Sequence, residues 1–264
     1  MAEAITDEYV IRVLRPVVRA TRPVLDALRE ADPFGLRHRM AGGAGTGRMP
    51  KRLKNRVLAL VANRRLPGTA AWASMNEDAR CDWWANRVSR FVALVAAVPG
   101  FGGWWADRLP VGDALGAAGQ GLLMCAIAGE YGVRDENDQI RLLAHVLLRR
   151  DVSAELASRS QPAGDAERQT AELTAELGAS ASQHGGRPTI RAIVGTVWRL
   201  GRALWSLGDE LDMRPQGRFY HRGLGMVPVF GVVGDYFGER HGLRTAAKAS
   251  RTWILEHRTR TRGM

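Results

Sequence analysis

The sequence predicts an all-α protein, a helical bundle of two lobes with short apolar hairpins that contain Gly and Pro. Three observations carry that prediction. No stretch shows sustained period-2 alternation, and no strand–turn–strand signal of the Asn-Gly kind occurs. Apolar residues instead recur at helical spacing along most of the chain. The 264 residues are 45% hydrophobic, enough to build a core and too mixed for a polytopic membrane protein.

The elements follow in order. Residues 8–30 carry Val10, Leu14, Val17, Val18, Leu25 and Leu28 at helical spacing. Pro16 and Pro23 are expected to break this run into short helices, because proline lacks the N–H and clashes with the preceding turn. Residues 33–50 read as a Gly-rich basic loop, and 51–65 as a helix with Leu53, Val57, Leu60 and Val61 on one side. Asn76 is the expected N-cap of a helix over 77–98, with Glu77 and Asp78 in its first turn. A Pro-Gly turn at 99–103 follows. Residues 112–131 form a helix of small apolar residues, with Gly132 placed to terminate it. Asp135 is the expected N-cap of a helix over 136–150, striped by Ile140, Leu143, Val146 and Leu147.

The stretch 151–188 changes character. Six acids stand against three arginines there, amid Ala, Ser and Gln, which predicts a solvated linker or an exposed helix. It separates an N-terminal lobe, 1–150, from a C-terminal lobe, 189–264. The second lobe opens on a strongly amphipathic helix. Ile190, Ile193, Val194, Val197, Leu200, Leu204, Trp205, Leu207 and Leu211 share one face, opposite Arg191, Arg199 and Arg202. An apolar segment at 223–234 and a helix over 243–258 complete the chain.

The first ten residues are acidic and polar and do not read as a signal peptide. The uncharged windows 91–106, 114–129 and 223–234 are shorter than the roughly 20 apolar residues a spanning helix needs. Hairpins at 91–129 and 223–237 are therefore expected to pack together or to dip partly into a bilayer.

Charge is the strongest functional signal. The net charge is +11. From 33 to 76 there are nine basic residues and no acid, and from 240 to 264 seven basic residues face Glu256 alone. Such fields attract polyanions, either anionic lipid head groups or nucleic acid. Tryptophans beside the apolar windows (Trp83, Trp84, Trp104, Trp105) suit a bilayer interface, where the ring is apolar and the N–H is wet. No helix-turn-helix, zinc-finger or RNP-type pattern supports nucleic acid beyond charge.

Catalytic signals are sparse. Gly43-Ala44-Gly45-Thr46-Gly47 lacks the strand before it and the Gly-Lys-Ser/Thr ending of a phosphate-binding loop. Asp78 and Asp82 stand one helical turn apart, where they could share magnesium, as acid pairs do in all-α enzymes acting on isoprenoid diphosphates. Such chemistry needs a second, opposed pair, from Asp135, Glu136 and Asp138 or from Asp209, Glu210 and Asp212. Helix-start charges explain the acids at 77–82 and 135–138 more simply. The six histidines form no i, i+3 or i, i+4 pair, Cys81 and Cys125 form no C-x-x-C, and no G-x-S-x-G occurs.

One segment carries a family likeness. Val98-Pro99-Gly100-Phe101-Gly102-Gly103 is followed by Leu109-Pro110-Val111-Gly112-Asp113 and a small-residue helix. Ile127-Ala128-Gly129-Glu130-Tyr131-Gly132, an acidic turn and Leu142-Leu143 come next. This pattern resembles the EcsC-like family, in which a Gly-rich turn, a Pro-x-x-Asp step and an Ile-Ala-x-x-Tyr-Gly ending mark a membrane-associated helical module. The resemblance implies location and architecture, not a reaction.

The sequence therefore predicts a non-catalytic, cytoplasmic protein that lies against or partly in a membrane. It needs no cofactor and binds anionic lipid through Arg48, Lys51, Arg52, Lys54 and Arg56, with Trp104 and Trp105 as interface anchors. The alternatives are a magnesium-dependent isoprenoid-diphosphate enzyme built on Asp78 and Asp82, and a nucleic-acid-binding helical protein.

Overall fold

Between Asp113 and Glu130 the chain carries no charged side chain, and a helix that is apolar all round must be covered all round. The computed structural model describes residues 6–30, 70–96, 111–159, 164–207 and 231–262. The described residues hold helices α1 (Asp7–Glu30), α2 (Ala70–Ala73), α3 (Glu77–Ala96), α4 (Val111–Glu130), α5 (Glu136–Leu148), α6 (Ala154–Ser158), α7 (Asp165–Gln183), α8 (Ile190–Trp205) and α9 (Gly231–Arg262), and no strand. Helix α4 is the axis. It packs against α1, α3, α5, α8 and α9, and every residue from Ala114 to Ala128 is buried.

Small residues let the neighbours come close. An added Cβ at Gly201 of α8 would stand 2.5 Å from the Ala114 carbonyl oxygen of α4, and one at Gly119 would stand 2.9 Å from Val92 of α3. One cluster of buried side chains runs from Val10 in α1 to Ile254 in α9, so residues of both expected lobes share a core. The stretch 151–188 supplies α6 and α7. Helix α7 is the exposed helix among these elements: only Ala166 and Leu177 are buried along it, and it lies across α1 and α8.

The helix ends follow local chemistry. Asn76 Oδ1 accepts the Ala79 N–H at 2.8 Å, capping α3. Asp135 accepts the Asn137 and Asp138 N–H groups at 2.9 and 3.1 Å, capping α5. Thr189 caps α8 through the Ala192 N–H. Helix α4 stops at Gly132, whose φ of 76° needs a residue without Cβ, and the Val133 N–H reaches back to the Ala128 carbonyl at 2.8 Å.

Three expectations are corrected. Helix α1 runs unbroken through Pro16 and Pro23. Each proline removes one backbone bond, yet Val10, Leu14, Val17, Val18, Val24 and Leu25 are all buried along the same helix, and that packing outweighs the local penalty. The helix expected over 243–258 runs instead from Gly231 to Arg262, taking in 231–237 of the expected hairpin, whose remainder lies outside the described residues. Ile190, placed on the buried face of α8, is 47% exposed, because it stands at the first turn. The basic helix expected at 51–65 lies outside the described residues.

Helix α7 is tied to α1 by charge as well as packing. Arg19 donates to Glu167 Oε1 at 2.7 Å, and this bond holds the Glu167 carboxyl below its ordinary value near 4.5. A lowered carboxyl pKa supports the folded state above the unfolded value, and that support fades as acid takes the pH down through the lowered one. Arg19→Gln is expected to raise the Glu167 pKa toward the ordinary value, with backbone hydrogen bonds at the start of α7 keeping part of the lowering, read by carboxyl NMR titration. An unmoved titration would show that another group sets it.

Candidate functional site

Helix α4 ends in carbonyl groups that make its C-terminus the negative end of a dipole. Glu130, the last residue of the helix, adds a carboxylate whose side chain is only 9% exposed. Burying that charge demands partners. Trp84, fully buried on α3, donates its indole N–H to Glu130 Oε1 at 3.0 Å. Arg29 from α1 and Arg80 from α3 stand 3.9 and 3.8 Å from the same carboxylate. Of the two tryptophans whose position suits either an interface or a core, Trp84 is core, and Trp83 is half-buried against it.

The arginines and tryptophans interleave. Trp72 meets Trp83 edge-on at 5.1 Å, and Trp83 meets Trp84 edge-on at 5.0 Å. Arg80 lies over Trp72, Arg87 over Trp83 and Arg29 over Trp84, at 5.7, 5.4 and 5.3 Å from the ring centres. Arg87 also donates twice to the Leu28 carbonyl, at 2.8 and 3.1 Å, closing the last turn of α1. The chain thus leaves α1 and returns through Trp72 at one place. Those two points bracket most of the basic stretch 33–76.

Helix α9 reaches the same end of the bundle. Arg251 pairs with Asp78, the Tyr131 hydroxyl donates to Asp78 at 3.4 Å, and Arg251 donates to that hydroxyl at 3.3 Å. Arg258 lies 5.4 Å over the Tyr131 ring and 4.0 Å from Glu77. Arg29, Arg80, Arg251 and Arg258 therefore surround the end of α4, each with a carboxylate in range. Beneath them burial, helped by Glu130, Asp82 and Glu77, pushes the Cys81 thiol up to about 12, and burial pushes Cys125 to about 11. Neither thiol is a nucleophile at neutral pH.

Charge is divided sharply along the chain. Outside α9 the described residues carry 18 basic and 18 acidic side chains. Helix α9 carries seven basic residues and three acids. The positive excess thus belongs to α9 and to the stretch 33–76, and the rest of the helical body is neutral.

Arg48, Lys51, Arg52, Lys54, Arg56, Trp104 and Trp105 lie outside the described residues. Asp78 and Asp82 are both exposed on α3, and Asp78 is engaged by Arg251 and Tyr131. Of the acids expected to oppose them, Asp135 caps α5 and Glu136 is bonded to Arg15 and Arg19, while 209–212 lie outside the described residues. Among the described residues no group of three or more His, Cys, Asp or Glu side chains is placed to hold a metal ion. Sequence reasoning missed Arg251 and Arg258 as neighbours of Asp78 and Glu77. The helical period of 243–258 was visible, but the pairing joins residues 173 positions apart. Compared with protein-family models, with curated proteins and with solved structures, the chain matches none.

Proposed function

We propose that this protein is a non-catalytic, membrane-associated helical protein that binds anionic lipid surfaces through its basic stretches. One observation carries the reading. The positive excess is confined to 33–76 and α9; the described residues on either side of 31–69 meet α3 through Arg87 and Trp83, and α9 pairs with Asp78 and Glu77 of that same helix. Two basic stretches carried by one body can meet one anionic surface together, and linked contacts multiply in affinity. The likeness to the EcsC-like family points the same way. No helix among the described residues is long and apolar enough to cross a membrane.

Sedimentation with vesicles tests the proposal. The protein is expected to pellet with mixed phosphatidylglycerol–phosphatidylcholine vesicles at low salt and to stay in solution with phosphatidylcholine alone. Replacing Lys51, Arg52 and Lys54 by Gln is expected to weaken binding by about 5-fold per cation removed. Salt is expected to weaken it further, by screening. A protein that ignores anionic vesicles but binds duplex DNA with a steep salt dependence is a nucleic-acid binder instead.

A further inference from the structure

Helix α9 has two faces between Leu243 and Arg258. Leu243, Ala246, Ala247, Ser250, Trp253 and Ile254 are buried against the body. Arg244, Lys248, Thr252 and Leu255 are exposed on the other side. At about 100° per residue, Arg244, Lys248 and Leu255 fall within about 40° of one another. Leu255 is 50% exposed, and it and Ile190 are the exposed large apolar side chains among the described residues. Arg251 and Arg258 flank the stripe on one side, already engaged with Asp78 and Glu77. Thr245 and Glu256 flank it on the other.

We infer that this outward face of α9 is a lipid-contact surface, lying in the head-group plane of an anionic bilayer with Leu255 directed into the acyl boundary. The inference rests on the proposed lipid reading and adds the contact element to it. Arg244 and Lys248 supply the charge complementarity to lipid phosphates. Leu255 favours lipid over a nucleic-acid backbone. An exposed leucine amid cations gains nothing from a sugar–phosphate backbone, but in an interfacial helix it transfers from water into an apolar layer. The apolar side of α9 is fixed in the protein core, so its outward side would be held at the surface by charge with one apolar contact, not by an apolar face.

A labelled variant tests this on the full chain. Leu255→Cys takes a polarity-sensitive fluorophore selectively, because Cys81 and Cys125 are buried and their thiols are held protonated. The emission is expected to shift to the blue with phosphatidylglycerol-containing vesicles and to stay unchanged with phosphatidylcholine alone. Arg244→Gln with Lys248→Gln, both on an exposed face, is expected to weaken vesicle binding about 25-fold, at about 5-fold per cation, with an unchanged melting profile. If the labelled protein pellets with anionic vesicles while the probe remains in water, this face is not the contact and the broader reading survives. If it does not pellet, both fall. A shift seen with duplex DNA and not with vesicles overturns the lipid assignment in favour of nucleic acid.

Discussion

Gly201→Ala is expected to destabilise the protein by about 2 kcal/mol, and the same substitution at Gly178 to stabilise it by about 0.5–1 kcal/mol. In isolation alanine is the better helix residue at both positions, so any local account makes both changes favourable. The difference lies in what the new methyl group meets. At Gly178, on exposed α7, nothing stands within 4 Å. At Gly201 the added carbon would be 2.5 Å from the Ala114 carbonyl oxygen and 2.9 Å from its carbonyl carbon. Those are backbone atoms of the central helix, so no side chain can swing away. Helix α8 must move off α4, loosening contacts of Leu200 and Leu204, both buried on it. Overpacking of this kind costs about 1–3 kcal/mol, and the helix preference of alanine returns part of it. In a thermal melt Gly201→Ala should fall by about 4–8 °C, while Gly178→Ala should hold or rise. Equal melting temperatures for the two variants would mean that α8 does not approach α4 this closely.

The contrast also shows which parts of the fold were legible in the sequence. Local signals were read well. Asp135 and Asn76 cap helices because a short polar side chain reaches its own next turn, which needs no knowledge of the fold. The small, uncharged run of α4 told that it is covered on every side, though not by which helices. Signals that tertiary contacts override were misread. Pro16 and Pro23 looked like breaks, but α1 gains more from its buried face than two missing backbone bonds cost. Gly231 and Gly234 looked like part of an apolar segment ahead of the last helix, and they belong to the start of that 32-residue helix. The basic stretches were countable from the sequence. The placing of α9 and of the end of α1 against α3 was not, because it depends on Arg251 finding Asp78 and Arg87 finding Leu28, pairings that no local period encodes.

Arg15→Met is expected to cost about 3 kcal/mol, the second large effect, through a cluster equally invisible to local patterns. Arg15 projects from α1 and is only 8% exposed. One of its terminal nitrogens donates to Glu136 at 2.8 Å and Asn137 at 3.2 Å, in the first turn of α5, and the other donates to the Ala157 carbonyl of α6. One planar fork thus joins three helices, with partners 121–142 positions away in sequence. Methionine fills much of the same volume but leaves the Ala157 carbonyl and one Glu136 oxygen without their donors. Stranding buried partners of a broken ion pair costs about 3–5 kcal/mol, and the low end applies because Arg19 still holds Glu136 at 2.7 Å. Arg15→Lys keeps the charge but cannot reach both sides of the fork, so it should fall about midway. Arg19→Met should cost no more than about 1 kcal/mol, since Arg19 is more exposed and its second partner, Glu167, is largely in solvent. Urea unfolding of the three variants checks the order. If Arg15→Met and Arg19→Met prove equally mild, the fork is a surface ornament, and α5 and α6 are held on α1 by their apolar contacts alone.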